Sequence, residues 1–317
     1  MKIDNIVTLT MNPAIDTSVS VQRMMKDHKM RSTKTLRDPG GGGINVARTL
    51  KRFGADPLAI FPMGGASGLM LERLVAAEGV RHQSFNIEHD CRANFTANEI
   101  ESGEQYRFVL PGPTLNEEEW SAGLGLMTQA ASNGSGFAVV SGSLPRGVPV
   151  DFYARLARNL KVLGGAKLIL DSSGPPLKHA LDQGGIYLVK PSLSEFVDVL
   201  GNPNPDEAMC LEASRAMVAK GSAEIVALTM GGDGALLVAD GIALRAMPPP
   251  VTVRGTVGAG DSFLGVLVLH LARGNSLSDA FRYGIAAGSA ALQSPGTGLC
   301  SPDLVAELAG LVNVTML

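Results

Sequence analysis

The sequence predicts an α/β fold with a mostly parallel central sheet, and three observations support that prediction. Short β-rich runs alternate with helical patterns along most of the 317 residues. Glycine is abundant, at 38 residues, and aromatic residues make up only 5%, which is typical of α/β proteins with many tight turns. Polar and glycine-rich motifs follow several predicted strands, at the sheet edge where open α/β sheets bind their ligands.

Six buried strands and eight helices are predicted along the chain. The strands are apolar runs bounded by turn-forming residues, and they fall at 3–10, 57–62, 136–140, 167–170, 186–189 and 224–228. The helices come from helical apolar spacing or, at 263–271, from a longer apolar run, and they fall at 44–53, 68–78, 117–131, 151–163, 193–200, 205–220, 263–271 and 276–292. Helices on both faces of the sheet would give a three-layer sandwich.

Two segments depart from that alternation. Residues 18–36 and 92–110 alternate polar and apolar side chains, and the second turns at 101–104 like a hairpin. We expect them to form a small antiparallel β lid that projects from the main body. The chain shows neither an internal repeat nor a low-complexity linker, so we expect a single domain over residues 1–317 with this discontinuous lid.

Composition excludes several classes of function. Charge is nearly balanced, with 27 Lys and Arg against 30 Asp and Glu, and no basic stripe predicts a nucleic-acid surface. The longest apolar stretches are shorter than the roughly 18 residues of a membrane span. The first residues lack the layout of a signal peptide. The cysteines are far apart and odd in number, which fits a reducing cytoplasm: Cys91, Cys210 and Cys300.

The segment 255–262, Gly-Thr-Val-Gly-Ala-Gly-Asp-Ser, is the most informative stretch of the chain. Its glycines lead into the helix predicted at 263–271, and N–H groups at a helix N-terminus lack intrahelical partners and carry partial positive charge. A glycine loop can bring several such groups to one phosphate. A carboxylate in an anion site is explained if it accepts a proton there, so Asp261 is a candidate general base. Capping of the helix by Asp261 is the structural alternative.

Two motifs near the N-terminus are candidate ligand-binding segments. Residues 39–48 place four consecutive glycines before a predicted helix, so that a ligand can lie against bare backbone, and Asn45 can both donate and accept hydrogen bonds there. Four glycines in succession cost chain entropy, which favours function over a flexible loop. Asp16 follows the first strand and can accept two hydroxyl hydrogen bonds, whereas an Asx turn begun by Asn12 is the alternative.

Further polar groups follow the later strands. Ser141 fits an ordinary turn as well as a ligand contact. Glu195, near the start of the helix at 193–200, can favour the helix dipole or hold the water shell of Mg²⁺. Residues 229–234 can shape a nucleotide pocket or a hairpin. The cations on the predicted lid are Lys29, Arg31 and Arg92, and surface cations are usually solvated.

Together these motifs resemble those of a known family. Residues 39–48, Pro-Gly-Gly-Gly-Gly-Ile-Asn-Val-Ala-Arg, are similar to the first signature of the ribokinase-like (PfkB) carbohydrate kinases, and residues 255–262 are similar to the second. Segments 102–109, 141–145, 171–174 and 257–262 are most similar to the bacterial ribokinase-like 6-phosphofructokinases. That branch of the family also holds 1-phosphofructokinases and tagatose-6-phosphate kinases.

The resemblance implies a ribokinase-like fold and an ATP-dependent transfer of a phosphoryl group to the C1 hydroxyl of fructose 6-phosphate. In it, Asp261 takes the acceptor proton, and the backbone at Gly258, Ala259 and Gly260 stabilises the transferring group. The residues implied for the sugar phosphate are Asp16, Gly41, Gly42, Gly43, Asn45, Arg92, Ser141 and Arg31. The residues implied for ATP are Lys190, Thr229, Gly231, Gly234 and Thr256.

The resemblance also implies Mg²⁺ near Glu195 and Ser192, K⁺ near the Thr256 loop, and a homodimer that associates through the lid. Lys29 aligns with a lysine linked to inhibition by a second MgATP, which makes it a candidate regulatory residue. Ser192 departs from the family pattern, which usually has Asn at that position. A hydroxyl lacks the two functions of an amide, so we expect weaker handling of Mg²⁺ or phosphate.

The motifs fit more than one phosphoryl acceptor. Fructose 6-phosphate phosphorylated at C1 and fructose 1-phosphate phosphorylated at C6 give the same bisphosphate, and tagatose 6-phosphate differs at one hydroxyl. A kinase for an unphosphorylated sugar or a nucleoside would not need Arg92. A catalytically silent sugar-phosphate sensor is the alternative of another class; Ser192 is its only support, and the intact Asp261 loop argues against it.

Overall fold

The computed structural model describes residues 5–132, 136–294 and 298–317. Its strands are β1 (Ile6–Leu9), β2 (Ala14–Val21), β3 (Lys34–Gly40), β4 (Leu58–Met63), β5 (Arg81–Asn86), β6 (Arg92–Glu99), β7 (Gln105–Phe108), β8 (Phe137–Ser141), β9 (Lys167–Asp171), β10 (Ile186–Val189), β11 (Ala223–Thr229), β12 (Ala235–Ala239), β13 (Ile242–Ala246) and β14 (Val314–Met316). Its helices are α1 (Gly42–Arg52), α2 (Gly65–Ala77), α3 (Glu117–Ser132), α4 (Phe152–Val162), α5 (Gly174–Gln183), α6 (Leu193–Leu200), α7 (Glu207–Lys220), α8 (Ala259–Ala272), α9 (Leu277–Leu292) and α10 (Pro302–Ala309).

The main sheet has ten strands in the order β14-β13-β12-β11-β10-β9-β8-β1-β4-β5. Its pairings from β11 to β5 are all parallel, and those from β11 to β14 are antiparallel. Parallel neighbours require crossover connections, and the helices between them supply these. The predicted mostly parallel α/β fold is therefore confirmed. The strand predicted over residues 3 to 10 corresponds to β1. Residues 3 and 4 lie outside the part of the chain that the structure describes.

Two apolar layers cover the sheet, because successive side chains of a strand point to opposite faces. Val7 and Leu9 of β1 belong to the layer that packs under α3 to α7, whereas Ile6 faces the layer formed with α1, α8, α9 and α10. Helix α8 packs between α1 and α9 and is buried from Ser262 to Leu269. A helix that is apolar all round is stable only when it is surrounded. The core therefore fixes the position of the N-terminus of α8.

A second sheet of four strands, in the order β3-β2-β6-β7, stands apart from the main one. The outer pairs β2–β3 and β6–β7 are antiparallel, as the hairpin-like patterns predicted, but the central pair β2–β6 is parallel. Between β3 and β6 the chain forms β4 and β5 of the main sheet. It then re-enters the second sheet with β6 running parallel to β2. The strands also begin before residue 18 and reach residue 40, so the sheet takes in Asp16. That it acts as a lid remains a prediction.

Most predicted elements are present with small shifts in their ends, but several were missed. Helix α8 begins at Ala259, four residues before the predicted start, because the glycines of the loop enter its first turn. The sequence analysis did not predict α5, α10 or the strands β5, β12, β13 and β14. β5 and β14 are the two edge strands and are largely exposed, so they lack the apolar runs of central strands, whereas β12 and β13 lie inside the sheet and their apolar residues were overlooked. No helix within the described ranges is long and apolar enough to cross a membrane.

Two glycines allow a test of how tightly α1 packs against β1. A Cβ at Gly43 would lie 2.5 Å from the Leu9 carbonyl oxygen and 2.7 Å from Thr10 Oγ1, whereas a Cβ at Gly125 of α3 would meet nothing within 4 Å. We expect Gly43→Ala to lower the free energy of unfolding by about 1–3 kcal/mol. The matched control Gly125→Ala should raise it by about 0.5–1 kcal/mol, because alanine is the better helix former. Urea denaturation measures the free energy of unfolding of both variants. Equal values for Gly43→Ala and Gly125→Ala would contradict the close packing of α1 against β1.

Candidate active site

The carboxyl ends of β1, β8, β9, β10 and β11 meet the N-termini of α1, α6 and α8 along one edge of the main sheet. Two pockets open there. The larger, of about 820 Å³, is lined by Lys190, Ser192 and Gly260, among others. The smaller, of about 250 Å³, is lined by Glu195 and Asp261, among others. Because Gly260 faces one pocket and Asp261 the other, the start of α8 lies at their boundary.

Asp261 is the third residue of α8, whose N-cap is Gly258. Gly258 adopts a φ of 77°, which glycine reaches without the strain of a side chain. The first intrahelical bond runs from Ser262 N to the Gly258 carbonyl, which leaves the amides of the first turn free of intrahelical partners. Asp261 therefore does not cap the helix, contrary to the structural alternative. Its Oδ2 instead accepts a hydrogen bond of 2.8 Å from Asn45 Nδ2.

The environment raises the pKa of Asp261 to about 6. Burial is the largest cause, and the negative charge of Asp171 adds to it. The hydrogen bond from Asn45 and the positive charge of Lys190 act in the opposite direction and limit the rise. A carboxylate with a pKa just below neutral is ionised at pH 7 and binds a proton well, which is the balance a general base needs.

Lys190 and Asp171 form a buried ion pair beside that carboxylate. Lys190 Nζ lies 3.0 Å from Asp171 Oδ1, and both side chains are largely shielded from solvent. Burial disfavours the ammonium, but the charges of Asp171, Glu195 and Asp261 outweigh burial and raise the pKa of Lys190. Asp171 also accepts a hydrogen bond of 3.1 Å from Ser141 Oγ. The ammonium is thus held as a fixed cation where the two pockets meet.

The smaller pocket collects most residues predicted for the sugar. Its lining includes the following predicted residues: Asp16, Gly41, Gly42, Asn45, Ser141 and Asp261. A Cβ at Gly42 would overlap Ser141 Oγ, so only glycine lets the two segments approach this closely. Burial raises the pKa of Asp16, while a hydrogen bond of 2.8 Å from Asn94 Nδ2 and the charges of Arg92 and Arg107 oppose that rise. A pocket this polar suits a hydroxylated ligand.

Arg92 lies beside this pocket, at the start of β6. Its Nη2 donates a hydrogen bond of 3.1 Å to the Asn12 carbonyl. Its Nε is buried and has no hydrogen-bond partner in the part of the chain that the structure describes. Burial lowers the pKa of Arg92, and the charge of Asp16 partly offsets this effect. A guanidinium with an unused buried donor is suited to bind an anion such as a phosphate.

The larger pocket contains every residue predicted for the nucleotide: Lys190, Thr229, Gly231, Gly234 and Thr256. Its opposite wall is apolar and includes Val251, Phe263, Ile285 and Leu292, together with residues 248–250, three successive prolines. Sequence reasoning missed this wall, although the proline run was a visible sign of a rigid segment. An apolar wall facing a polar, glycine-rich edge is the usual form of a cofactor site.

Ser192 and Glu195 form a capping box at the start of α6. The Glu195 amide donates to Ser192 Oγ at 3.4 Å, and the Ser192 amide donates to Glu195 Oε2 at 2.7 Å. The helix-end role that the sequence left open for Glu195 is therefore present. The same pair borders both pockets, because Ser192 lines the larger one and Glu195 the smaller. Among the described residues no group of three or more His, Cys, Asp or Glu side chains is arranged to hold a metal.

The structure does not bring every predicted residue to these pockets. Lys29 and Arg31 are exposed in the segment before β3, and neither is among the residues that line the two pockets. Gly43 lies behind the smaller pocket, against β1. Sequence reasoning singled out the segment 171–174 but assigned no role to Asp171, and it missed Asn94 and Arg107. Asn94 faces Asp16 only through the pairing of β2 with β6, which no local pattern reveals.

Comparisons with known proteins agree with this architecture. The family profile described as pfkB family carbohydrate kinase matches residues 6–304. The chain is 40% identical over 301 residues to the ATP-dependent 6-phosphofructokinase isozyme 2 of Escherichia coli, covering 94% of this chain and 96% of that protein. It is 31% identical over 310 residues to the 1-phosphofructokinase of Xanthomonas campestris, covering 96% of each.

Solved structures give the same result. Phosphofructokinase-2 from Escherichia coli in complex with fructose-6-phosphate superposes with a TM-score of 0.89 at 37% identity, covering 96% of this chain and 98% of that one. The same protein in complex with potassium gives a TM-score of 0.91 at 38% identity, with the same coverage. The ribokinase-like fold that the sequence predicted is thereby confirmed.

The raised pKa of Asp261 predicts a stability that depends on pH. Its folded-state pKa, about 6, exceeds the ordinary 3.8, so the folded protein binds this proton more tightly. The resulting stability is fully present below about pH 4 and is lost as the pH rises through about 6. We expect the free energy of unfolding of Asp261→Asn to exceed that of the wild type by up to about 3 kcal/mol at pH 8. At about pH 4 the two proteins should not differ.

Urea denaturation at both pH values checks this expectation. Asp240, exposed in the turn between β12 and β13, provides the matched control. Asp240→Asn should change the free energy of unfolding by less than about 0.5 kcal/mol at either pH. A destabilised Asp261→Asn variant at pH 8 would show that the carboxylate is not strained by burial.

Proposed function

Because the chain belongs to the pfkB family of carbohydrate kinases, we propose that it transfers the γ-phosphoryl group of ATP to the C1 hydroxyl of fructose 6-phosphate, giving fructose 1,6-bisphosphate. The observation that carries this proposal is Asp261, buried at the start of α8 between a large, partly apolar pocket and a small polar one. A phosphoryl group leaving the first pocket toward the second passes the base and the free amides of the helix. The family is one of phosphotransferases, and the enzyme class follows from it.

Asp261 accepts the proton of the attacking hydroxyl in this proposal. The oxygen of that hydroxyl then forms its bond to the γ-phosphorus as the bond from that phosphorus to the β,γ-bridging oxygen breaks. The amides of Ala259 and Gly260, at the positive end of α8, stabilise the equatorial oxygens of the transferring group. Lys190, held by Asp171, adds a positive charge at the same boundary. Phosphoryl transfer depends on positioning and charge stabilisation of this kind more than on covalent help.

The sugar phosphate is proposed to lie in the smaller pocket. Asp16 and Asn45 bind its hydroxyls, and the backbone of Gly41 and Gly42 lies against the ring. Arg92 binds the phosphate already present on the sugar, and the Ser141 hydroxyl turns from Asp171 to donate to the same phosphate. The buried, unpartnered Nε of Arg92 supports this assignment, because a phosphate oxygen would satisfy it. Arg107, whose charge reaches Asp16, adds to the positive potential on this side.

The donor set also fits a magnesium ion held partly by nucleotide phosphates. Mg²⁺ is usually bound by one or two carboxylates with waters and phosphate oxygens, and Glu195 and Ser192 supply one carboxylate and one hydroxyl at the boundary. When bound, the ion would offset phosphate charge during the transfer. The potassium of the E. coli structure supports a monovalent-cation site near the Thr256 loop. Rates in KCl and in tetramethylammonium chloride test that site.

The 1-phosphofructokinase relative supports an alternative acceptor. Fructose 1-phosphate could be phosphorylated at C6 with the same base and the same Arg92 clamp, because the two bisphosphate products are identical. Tagatose 6-phosphate remains a further candidate. A catalytically silent sensor is opposed by the ionisable Asp261 and its free helix amides. The cytoplasmic location and the lack of nucleic-acid partners that the sequence suggested stay predictions.

Release of ADP with different acceptors tests the proposed function. With Mg²⁺-ATP, we expect turnover with fructose 6-phosphate to exceed turnover with fructose 1-phosphate, tagatose 6-phosphate or free fructose. Asp261→Asn should lower kcat by about 10²- to 10⁴-fold, the usual contribution of a general base. Arg92→Ala should raise KM for the sugar phosphate by about 10- to 100-fold, the loss of a charge-assisted hydrogen bond, while KM for ATP stays unchanged. Faster turnover with another acceptor would replace fructose 6-phosphate as the proposed substrate. Absence of turnover with every acceptor would favour the catalytically silent sensor.

Ser192 provides a test of the metal assignment. We expect Ser192→Asn to lower the Mg²⁺ concentration needed for half-maximal rate, because the longer Asn side chain carries a carbonyl oxygen and an NH₂ group on separate atoms, where serine has one short hydroxyl. The capping role should persist, since Asn is as good an N-cap as Ser, so stability serves as an internal control. An unchanged Mg²⁺ dependence would remove the assignment of Ser192 to the metal.

The outer face of the second sheet supports association of two copies through this lid. Phe95 and Phe108 are paired across β6 and β7 and are 40% and 53% exposed, and Val109 and Leu110, directly after β7, are exposed as well. A contiguous exposed apolar patch of this kind marks an interaction site. Lys29 and Arg31 lie outside the pockets of their own chain, so we propose that they act from the second copy, Arg31 on the sugar phosphate and Lys29 on an inhibitory MgATP.

Light scattering tests the dimer. We expect Phe108→Glu to convert a dimer to a monomer, because it places a charge in the apolar contact. Val162 of α4 is 84% exposed and far from the lid, and Val162→Glu serves as the control that should stay dimeric. Lys29→Ala should abolish any inhibition at high ATP concentration in the dimer. A monomeric wild type would overturn the association and both residue roles.

A further inference from the structure

We propose that Arg48 is a positioning residue for the phosphoryl transfer, because its guanidinium fixes the orientation of the Asn45 carboxamide that holds the catalytic base. Arg48 itself touches neither pocket. The inference rests on the proposed function, since it assigns Arg48 a role toward the base Asp261.

A continuous chain of hydrogen bonds links Arg48 to Asp261. Arg48 and Asn45 are three residues apart on α1, which places both side chains on one face of the helix. Arg48 Nη1 donates to Asn45 Oδ1 at 3.0 Å and to the Pro39 carbonyl at 3.1 Å. Asn45 Nδ2 in turn donates to Asp261 Oδ2 at 2.8 Å. All the atoms of this relay belong to residues that are buried or lie at the pocket boundary.

The chemistry of the guanidinium decides which way the amide faces. Arginine only donates hydrogen bonds, so the atom of Asn45 that it contacts must be the carbonyl oxygen. The NH₂ group of Asn45 is then necessarily directed at Asp261. If the amide were reversed, two donors would meet at Arg48 and two acceptors would meet at Asp261, and both contacts would be lost. Arg48 therefore selects the amide orientation that stabilises the ionised base.

Arg48 is itself held from the side away from the site. Its Nη2 contacts Glu78, which follows α2, and lies 3.7 Å from Asp38 on β3. The Arg48 side chain is only 2% exposed, and its Nε has no hydrogen-bond partner within the described residues. A buried charge held by a fork of this geometry has little freedom. Glu78 thus anchors the guanidinium without touching Asn45 or Asp261.

A purely structural role is the competing explanation. The Arg48–Glu78 pair joins α1, the end of α2 and β3, and loss of either partner of a buried pair is destabilising. On that explanation, variants of Arg48 and of Glu78 should have parallel effects on stability and on activity. A positioning role instead predicts that only changes at Arg48 alter the behaviour of the base.

Three variants separate the two explanations. Arg48→Met removes the donor while keeping much of the side-chain volume, and we expect kcat to fall about 10- to 100-fold with KM for ATP unchanged. The acid limb of the pH–rate profile should move to higher pH, because Asp261 loses an oriented hydrogen bond. Arg48→Lys keeps a side chain that only donates and is long enough to direct an N–H at Asn45 Oδ1, so it should recover most of kcat and the original position of the acid limb. Glu78→Gln keeps an amide oxygen that accepts from Arg48 Nη2, so the guanidinium stays anchored; it should lower stability but leave kcat and the acid limb unchanged.

The double variant Arg48→Met/Glu78→Gln covers the case in which Arg48→Met does not fold, because it leaves no unpaired, partly buried carboxylate at Glu78. NMR titration of the protein labelled with ¹³C at the aspartate carboxyls, with Asp261→Asn for assignment, follows the base without any substrate. If the wild type turns over no acceptor, the proposed function fails, while this titration still tests Arg48. An Asp261 titration unchanged in the double variant, or equal losses of kcat in Arg48→Lys, Arg48→Met and Glu78→Gln, would overturn the positioning role.

Discussion

The burial of one carboxylate at the N-terminus of α8 is the constraint on which the rest of the site depends. Asp261 lies in the first turn of a helix that the core surrounds on all sides, so its position is fixed by packing, not by a loop. Burial disfavours its charge, and every neighbouring group changes that balance: Asn45 and Lys190 favour the ionised form, and Asp171 disfavours it. The result is a carboxylate whose pKa lies near the pH at which it must exchange a proton.

The same arrangement sets stability against function. A neutral group at position 261 would be accepted by the core at lower free-energy cost, yet it could not take a proton from a hydroxyl. Lys190 shows a related compromise, because its burial is tolerated only through the ion pair with Asp171. Strained, charged groups of this kind concentrate at functional sites, and the apolar sandwich around the sheet supplies the stability that offsets them.

The two pockets draw on different parts of the chain, and the start of α8 lies between them. The N-terminal third supplies Asp16, Gly41, Gly42 and Asn45 to the smaller pocket, with Arg92 beside it, and the middle of the chain adds residues 141–143 and 171–173. The C-terminal half supplies Thr229, residues 248–250 and Phe263 to the side with the apolar wall. The second sheet carries Asp16, Asn94 and Arg92 on neighbouring strands, so any movement of that sheet would alter the polar pocket first.

The sequence by itself determined the features that depend on local patterns. Apolar periodicity predicted the central strands and most helices, and the glycine segments at 39–48 and 255–262 indicated where a backbone must approach a ligand and led to Asp261 and Asn45. Tertiary structure alone decided that β2 and β6 run parallel, that Asn94 faces Asp16, that Asp171 pairs with Lys190, and that Arg48 reaches Asn45 as well as Glu78. Most of these contacts join residues far apart in the chain, and the Arg48 side chain that reaches Asn45 three residues away also contacts Glu78 beyond another helix. Strand register and the burial of charge depend on how whole elements pack, which no local spacing of residues encodes.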